Sequence, residues 1–323
     1  MVGRSILVTG ASGFLGASLV RYLASSEAFS VRAPVRNPRI SFPASVEVLP
    51  IADLDASTSW QQALPGVEVV VHASGRVHVM NEAPQDPLVE FRKVNVEGTL
   101  NLARQAAAAG VKRFIFISSI KVNGETTLPG KPFSAEDAPA PVDAYGISKL
   151  EAEQGLYALA ASTGMEAVII RPVLVYGPGV KANFLSMMRW LSKGIPLPFG
   201  DSHNRRSLVA LDNLISLIVV CIDHPRAANQ TFLVSDGEDI STSDLLRKLA
   251  YALGKPAWLL PVPVWLMRGA AALLGKRNLS SRLFGSLQVD ISKNQALLGW
   301  KPPVSLDQGL RLTAQHFLES RTS

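Results

Sequence analysis

Cysteine is almost absent. Cys221 stands alone in 323 residues, so no intramolecular disulfide framework can hold the fold. That usage suits a reducing compartment, and a cytoplasmic location is the expectation. Long hydrophobic runs are also missing. The most apolar late stretch, residues 257–275, carries Pro261, Pro263 and Arg268, whereas a spanning helix needs about 20 mainly apolar residues. It reads as a core or dimer helix, with membrane-surface contact the lesser alternative, and no membrane span is expected. The apolar run near the start is too short for a signal peptide and leads straight into a glycine-rich turn. Blocks of one charge are lacking too. The net charge is +6 and the pI about 9.5, but the basic residues are scattered. Pairs such as Arg205-Arg206 and Lys276-Arg277 are too short for a nucleic-acid arm, so no nucleic-acid partner is expected. An anionic small molecule needs only a few such cations. Repeats and low-complexity linkers are absent as well.

What is present is a composition 47% hydrophobic and 18% charged, able to bury a large core, with β-branched runs alternating with alanine-rich stretches. Strands are expected at 5–9, 29–35, 46–50, 68–72, 113–118 and 166–170. Helices are expected at 14–24, at 91–109 before Gly110, and at 144–163 before Gly164. Continuous apolar strands alternating with helices argue for an α/β fold, a doubly wound parallel sheet covered on both faces. After Arg171-Pro172, prolines and glycines rise and the elements shorten. Residues 1–171 therefore read as a dinucleotide-binding domain. Residues 172–323 read mainly as a smaller lobe over the carboxyl ends of the strands, where open α/β sheets bind ligands, with some segments returning to the core.

"ILVTGASGFLG" places Gly10, Gly13 and Gly16 between a strand and a helix. Gly10 permits the tight turn, Gly13 lets the backbone approach a pyrophosphate, and Gly16 allows close helix–strand packing. The helix start at Phe14, Leu15 and Gly16 offers free N–H groups to phosphates. The strand that would carry an acid for the ribose hydroxyls of NAD reads "FSVRAPVRNP" and has none. Arg36 follows it, with Arg32 inside it. An arginine can pair with a 2′-phosphate that a carboxylate would repel. NADP(H) is therefore favoured as cofactor, with NAD(H) the alternative in which Arg36 only stacks on adenine.

"YGISK" sets Tyr145 and Lys149 four residues apart, on one face of a helix. An ammonium near a phenol favours the phenolate, so a lowered tyrosine pKa is expected, suited to proton exchange with a substrate hydroxyl or ketone. The GxxGxxG spacing followed by YxxxK resembles the extended short-chain dehydrogenase/reductases, the NAD-dependent epimerase/dehydratase family. It is similar to bacterial nucleotide-sugar 4-ketoreductases and 4-epimerases of O-antigen pathways, of the UDP-N-acetylquinovosamine type. The resemblance runs over essentially the whole chain. It implies a Rossmann-type core with a C-terminal substrate lobe, and a homodimer through the helices at 91–109 and 144–163.

By that resemblance, Asp53 and Leu54 in "ADL" approach adenine, and Ala73 in "HASG" lies beside the adenosine. Asn95 is a structural asparagine, and Lys149 bonds the nicotinamide ribose. His72 is given no catalytic role. Ser119, in "SSIKVNG", matches the catalytic serine or threonine, with Ser118 structural; Asn123 departs from the family's common tyrosine. The 4,6-dehydratases of the family carry an Asp-Glu pair after that residue. Here Ile120 and Lys121 stand there, which argues against dehydration. Lys121 reads either as a substrate contact or as a solvated side chain. For the sugar nucleotide, the resemblance implies Arg206 on the diphosphate, Asn183 near the nucleotide and Arg282 as a second diphosphate ligand, with Asp212 a helix N-cap. The function expected is NADPH reduction of a UDP-4-keto-6-deoxy-hexosamine at C4. The alternative is a UDP-sugar C4 epimerase with tightly held NAD. A non-enzymatic NADP(H)-binding sensor is a distant third.

Overall fold

A computed structural model describes residues 3–37, 41–77, 86–128, 130–263, 265–267 and 285–322. Its centre is a seven-stranded sheet of β1 (Arg4–Thr9), β2 (Phe29–Val35), β3 (Val46–Pro50), β4 (Val69–His72), β5 (Arg113–Ile117), β6 (Glu166–Pro172) and β9 (Gln230–Val234), in the order β3-β2-β1-β4-β5-β6-β9. Every pairing in it is parallel. The order reverses between β1 and β4, so their carboxyl ends, where Thr9 is the register partner of His72, form the switch-point crevice of an open α/β sheet.

Strand alternation divides the core between two faces. Ile6, Val8, Ile115 and Ile117 point to the side covered by α1 (Phe14–Ala24) and α6 (Leu211–Asp223), through Leu19, Leu23, Leu214 and Ile218. Leu7, Phe114 and Phe116 point to the other side, covered by α3 (Thr99–Ala108) and α4 (Ala144–Thr163), through Leu102, Ala106 and Leu156. All of β5 is buried, as a strand inside such a sandwich must be. A smaller sheet pairs β7 (Leu174–Tyr176) parallel to β8 (Arg206–Ala210), and β8 antiparallel to β10 (Asp239–Ile240). It shares a separate apolar cluster with α5 (Ala182–Ser192), α7 (Thr242–Ala252) and α9 (Leu306–Thr322), around Phe184, Met188, Leu246, Leu249, Leu310 and Phe317. The short α8 (Ser292–Leu298) precedes α9.

Helix α4 has the expected bounds. Asp143 caps its start by accepting from Gly146 N, and Gly164 ends it in the left-handed region at φ 76°. The expected helix at 91–109 is instead three pieces: α2 (Pro87–Arg92), a π-helical turn at Lys93–Gly98, and α3. A π turn holds one extra residue per hydrogen-bonded ring and clusters at functional sites. Here it carries Asn95, which turns inward. Strand β6 runs past its expected end to Pro172 because Arg171 and Pro172 pair with Leu233 and Val234 of β9. Of 257–275, read above as a core or dimer helix, residues 257–263 are not helical, and Leu259 instead forms a bridge with Leu197; residues 264 and 268–275 lie outside the described residues. Among the described residues no helix is long and apolar enough to cross a membrane.

Candidate functional site

The glycine turn is built for close approach. Gly10 has φ 70°, and a Cβ there would sit 2.8 Å from the Ala73 carbonyl that closes β4. A Cβ on Gly16 would sit 2.1 Å from the Gly10 oxygen, so only glycine lets α1 seat against the turn. Gly13 N donates to Gly10 O at 2.8 Å. No side chain caps α1, and its first turn carries no acid. The N–H groups at Phe14, Leu15 and Gly16 therefore face the crevice without a side-chain acceptor, the arrangement that binds an anion. The side chains of Phe14 and Leu15 pack back onto the sheet. A turn that a Cβ would fill and a helix start left uncapped fit the pyrophosphate of a dinucleotide.

At the edge of the crevice, Arg36 Nη1 lies 3.6 Å from Asp53 Oδ1, and both side chains are exposed. Arg32 is committed elsewhere: Nε donates to Glu47 at 2.7 Å, and Nη1 donates to the carbonyls of Pro65 at 2.5 Å and Ala63 at 3.1 Å. Leu54 lies under the π turn, where a Cβ on Gly98 would come within 3.0 Å of its carbonyl.

Three elements bring Ser119, Tyr145 and Lys149 together. β5 ends at Ile117, and Ser118 N still bonds Ile170 O at 2.7 Å. Ser119 then caps a single 3₁₀ turn, accepting from Lys121 N at 3.3 Å. The start of α4 lies against this turn: a Cβ on Gly146 would be 2.8 Å from the Lys121 carbonyl. The Ser119 hydroxyl stands beside the Tyr145 phenol, and Phe91 meets the phenol ring edge-on at 5.8 Å. Lys149 is buried, with Nζ donating to Ile117 O at 3.0 Å and lying 4.3 Å from the centre of the Phe116 ring. Asn95 holds the opposite wall. It accepts from Arg76 N at 2.8 Å and donates to Arg76 O at 3.1 Å and Ser148 Oγ at 3.0 Å.

The protonation states differ from the expectation of a lowered tyrosine. Burial pushes the Tyr145 phenol up to about 12; the Ser119 hydrogen bond opposes this and the Asp143 carboxylate adds to it. Burial pushes Lys149 down to about 8, against the pull of Glu153. The ammonium is turned to a carbonyl and a ring rather than to the phenol, so desolvation of the tyrosine prevails. His72 is fully enclosed, bonded to Thr9 Oγ1 at 2.7 Å and Thr99 Oγ1 at 3.0 Å and stacked on Phe116. Burial lowers it to about 3, so it is a neutral framework residue.

Lys121 is held by carboxylates. It pairs with Asp143 and, at 3.3 Å, with Glu125. Asp143 also accepts from Gly146 N at 2.7 Å, so one acid fastens the 3₁₀ turn to the helix start. Asn183 stands exposed in the first turn of α5. Arg206 opens β8, and its Nη1 donates to Gly285 O at 3.0 Å. Arg282 lies outside the described residues. Asp212 is not the N-cap of α6. That position is Ala210, and Asp212 sits in the first turn without a capping bond. Strand β8 runs directly into the helix, and Asp236 instead accepts from Ala210 N and Asn213 Nδ2, each at 2.7 Å.

Two residues beneath the site escaped the sequence reading. The Glu153 carboxylate accepts from Arg171 Nε at 3.0 Å, from Arg171 Nη2 at 2.6 Å and from the Ser118 hydroxyl. Arg171 Nη1 reaches Asn123 Oδ1 at 2.9 Å. The signal was present: Glu153 lies one turn beyond Lys149, on the face already marked by Tyr145 and Lys149.

Residues 6–235 match the family model described as NAD dependent epimerase/dehydratase family. The UDP-glucose 4-epimerase of Vibrio cholerae is 54% identical over 318 residues, 98% of this chain and 96% of the relative. The solved UDP-glucuronic acid 4-epimerase of Bacillus cereus in complex with NAD superposes with a TM-score of 0.79 at 22% identity, covering 98% of this chain and 96% of that one. RMD from Pseudomonas aeruginosa complexed with NADPH gives 0.73 at 23% identity, covering 97% and 99%. At such identities these structures establish the fold.

Proposed function

The chain belongs to the NAD dependent epimerase/dehydratase family, and on that premise we propose that it interconverts UDP-hexoses epimeric at C4, with NAD as resident cofactor. The observation that carries the chemistry is the junction of Ser119, Tyr145 and Lys149 at the carboxyl edge of the sheet. The close relation to a 4-epimerase over nearly the full length of both chains supports the choice of reaction. In this reading residues 1–171 hold the dinucleotide, through Gly10, Gly13, Phe14, Leu15, Gly16, Asp53, Leu54 and Ala73. Residues 172–323 mainly hold the sugar nucleotide, through Asn183, Arg206 and Arg282. The cofactor supplies the acceptor and donor of hydride. Tyr145 exchanges the proton of the C4 oxygen, Ser119 holds that oxygen by a hydrogen bond, and Lys149 fixes the ribose end of the dinucleotide.

Dehydration is disfavoured by the turn after Ser119. Ile120 is buried, and the Lys121 ammonium is bound by two carboxylates, so this turn offers no acid–base pair. A second reading, NADPH reduction of a UDP-4-keto-6-deoxy-hexosamine, is favoured by the lack of an acid at the end of β2, where Arg36 stands. It is also favoured by the phenol of Tyr145 holding its proton, as a ketone's proton donor must. Incubation with UDP-glucose or UDP-N-acetylglucosamine, and separately with UDP-4-keto-6-deoxy-N-acetylglucosamine and NADPH, tests both. Interconversion without net change in cofactor supports epimerisation. Stoichiometric loss of NADPH replaces it with reduction, and no turnover on either class overturns the proposal. The same reading includes a homodimer through α2–α3 and α4, which sedimentation equilibrium measures.

A further inference from the structure

Beneath the hydroxyl pair lies a charged group that no step of the chemistry above uses. Glu153 and Arg171 are almost fully buried, with side-chain exposures of 3% and 6%. Removing an ion pair from water is costly unless every bond is well made. Here the bonds are made: the carboxylate accepts two from Arg171 and one from Ser118, and the remaining guanidinium arm bonds Asn123. Asn123 in turn donates to Ser134 O at 2.9 Å.

The positions joined are the ones the site depends on. Ser118 precedes Ser119 at the end of β5. Asn123 closes the turn that Ser119 caps. Glu153 follows Lys149 by one turn of α4 and Tyr145 by two. Arg171 comes from the neighbouring strand β6. We propose that Glu153, clamped by Arg171 and Ser118, is the positioning residue of this site: its carboxylate ties the strand end bearing Ser119 to the helix bearing Tyr145 and Lys149, and stands buried one helical turn from the Lys149 ammonium. The inference rests on the proposed roles of those three residues.

The groups around Lys149 bear on the charge. On its own helix stand Tyr145, neutral as a phenol, and Glu153. From β4 comes His72, neutral by burial. From β5 come the Ile117 carbonyl and the Phe116 ring. From the π turn comes Asn95, whose Oδ1 and the Lys149 Nζ both lie close to Gly75. Arg171 stands beyond Glu153. The anion that draws on Lys149 is thus Glu153, and its loss lets burial drive the lysine lower.

The test uses Glu153→Gln, which keeps the shape and loses the charge. Turnover is expected to fall roughly 100-fold, the cost of a misplaced reacting group, with dinucleotide affinity unchanged. The limb of the pH profile that belongs to Lys149 is expected to move down by about one pH unit, and Glu153→Asp to return that limb toward its wild-type position. An unmoved limb and retained turnover in folded Glu153→Gln overturn the proposal; lost turnover with an unmoved limb overturns the charge role and leaves only packing. Should Glu153→Gln not fold, the pair Glu153→Met with Arg171→Met removes both charges into an apolar replacement of the kind buried pairs tolerate, and the same limb is read. A readout without substrate separates this inference from the proposed reaction. The Lys149 side-chain carbon signals, in lysine-labelled protein and assigned by their loss in Lys149→Met, titrate lower in Glu153→Gln than in wild type even if no UDP-sugar is turned over. Equal titration rejects the inference whatever the substrate proves to be.

Discussion

The turn after β5 with the start of α4, and the segment from α5 to β8, both carry residues proposed to meet the ligand, yet they are built differently. In the first, the side chains are fastened in place: Ser119 to the Lys121 backbone, Lys149 to the Ile117 carbonyl, Lys121 to Asp143, and Asp143 to the helix start. In the second, Asn183 stands exposed and Arg206 is held to the Gly285 backbone. A reacting group must be held before substrate arrives, since misplacement costs rate steeply. A group that only grips a flexible diphosphate can complete its contacts on binding. The difference predicts that damage to the first region appears in kcat and damage to the second in KM.

The largest effect is expected at Tyr145. Tyr145→Phe removes the proposed proton carrier and keeps the ring against Phe91. Turnover should fall by about 10²–10⁴-fold, with dinucleotide binding retained by equilibrium dialysis; unchanged turnover removes Tyr145 from the chemistry. Next comes Arg206→Ala. If the guanidinium grips the diphosphate, the loss of a charged hydrogen bond costs about 1.5–3 kcal/mol, or roughly ten- to a hundredfold in KM with kcat kept. A fall in kcat at constant KM would erase the contrast between the two regions.

Lys149 gives a pH test of how far the first region is buried. Its folded pKa of about 8 lies below the ordinary lysine value of 10.5. Between these values the unfolded chain binds the proton that the folded chain has released, so stability rises with pH. Relative to Lys149→Met, dinucleotide-free protein should gain on the order of 2–3 kcal/mol from pH 8 to pH 10 in urea unfolding. Above pH 10 the absolute stability of both proteins falls, because Tyr145, raised to about 12, keeps a proton that the unfolded tyrosine loses, and this cancels in the difference. Gly146→Ala probes the seat of α4 more gently. The added methyl meets the Lys121 carbonyl at 2.8 Å, so the helix start must shift, at a cost of about 1–3 kcal/mol in stability and a fall in kcat larger than any change in KM.

How much of this was legible follows from which constraints are local. A glycine turn between a strand and a helix fixes its own geometry, and the helical period fixes Tyr145 against Lys149, so both were readable. Glu153 obeys the same period, but a glutamate on a helix reads as a solvated face until its strand partner is known, and Arg171 read only as the edge of a domain. Asp212 shows the converse failure. An acid near a helix start signals the first turn without saying which position it fills, and the acceptor in use, Asp236, lies beyond the whole of α6 in sequence. The π turn was invisible because one inserted residue leaves the apolar pattern of a helix nearly intact. The raised Tyr145 was misjudged because charge was weighed and burial was not.

The smallest expected effect is at Arg36, and it decides between the two cofactors. The side chain is exposed and faces Asp53 at 3.6 Å, so whatever it contributes is made in water and screened by salt. Arg32 does not compensate, because its guanidinium is spent on Glu47 and two carbonyls. Arg36→Glu would set a second carboxylate beside Asp53, where a 2′-phosphate would have to sit. If Arg36 reads that phosphate, the ratio of NADPH to NAD affinity should fall, by less than about tenfold given the worth of exposed ion pairs, and the fall should shrink as salt is raised. An unchanged ratio means that the missing acid at the end of β2 leaves room for NAD without selecting for NADP. The epimerase reading is then sharpened, since a resident NAD needs no phosphate to be recognised at that edge.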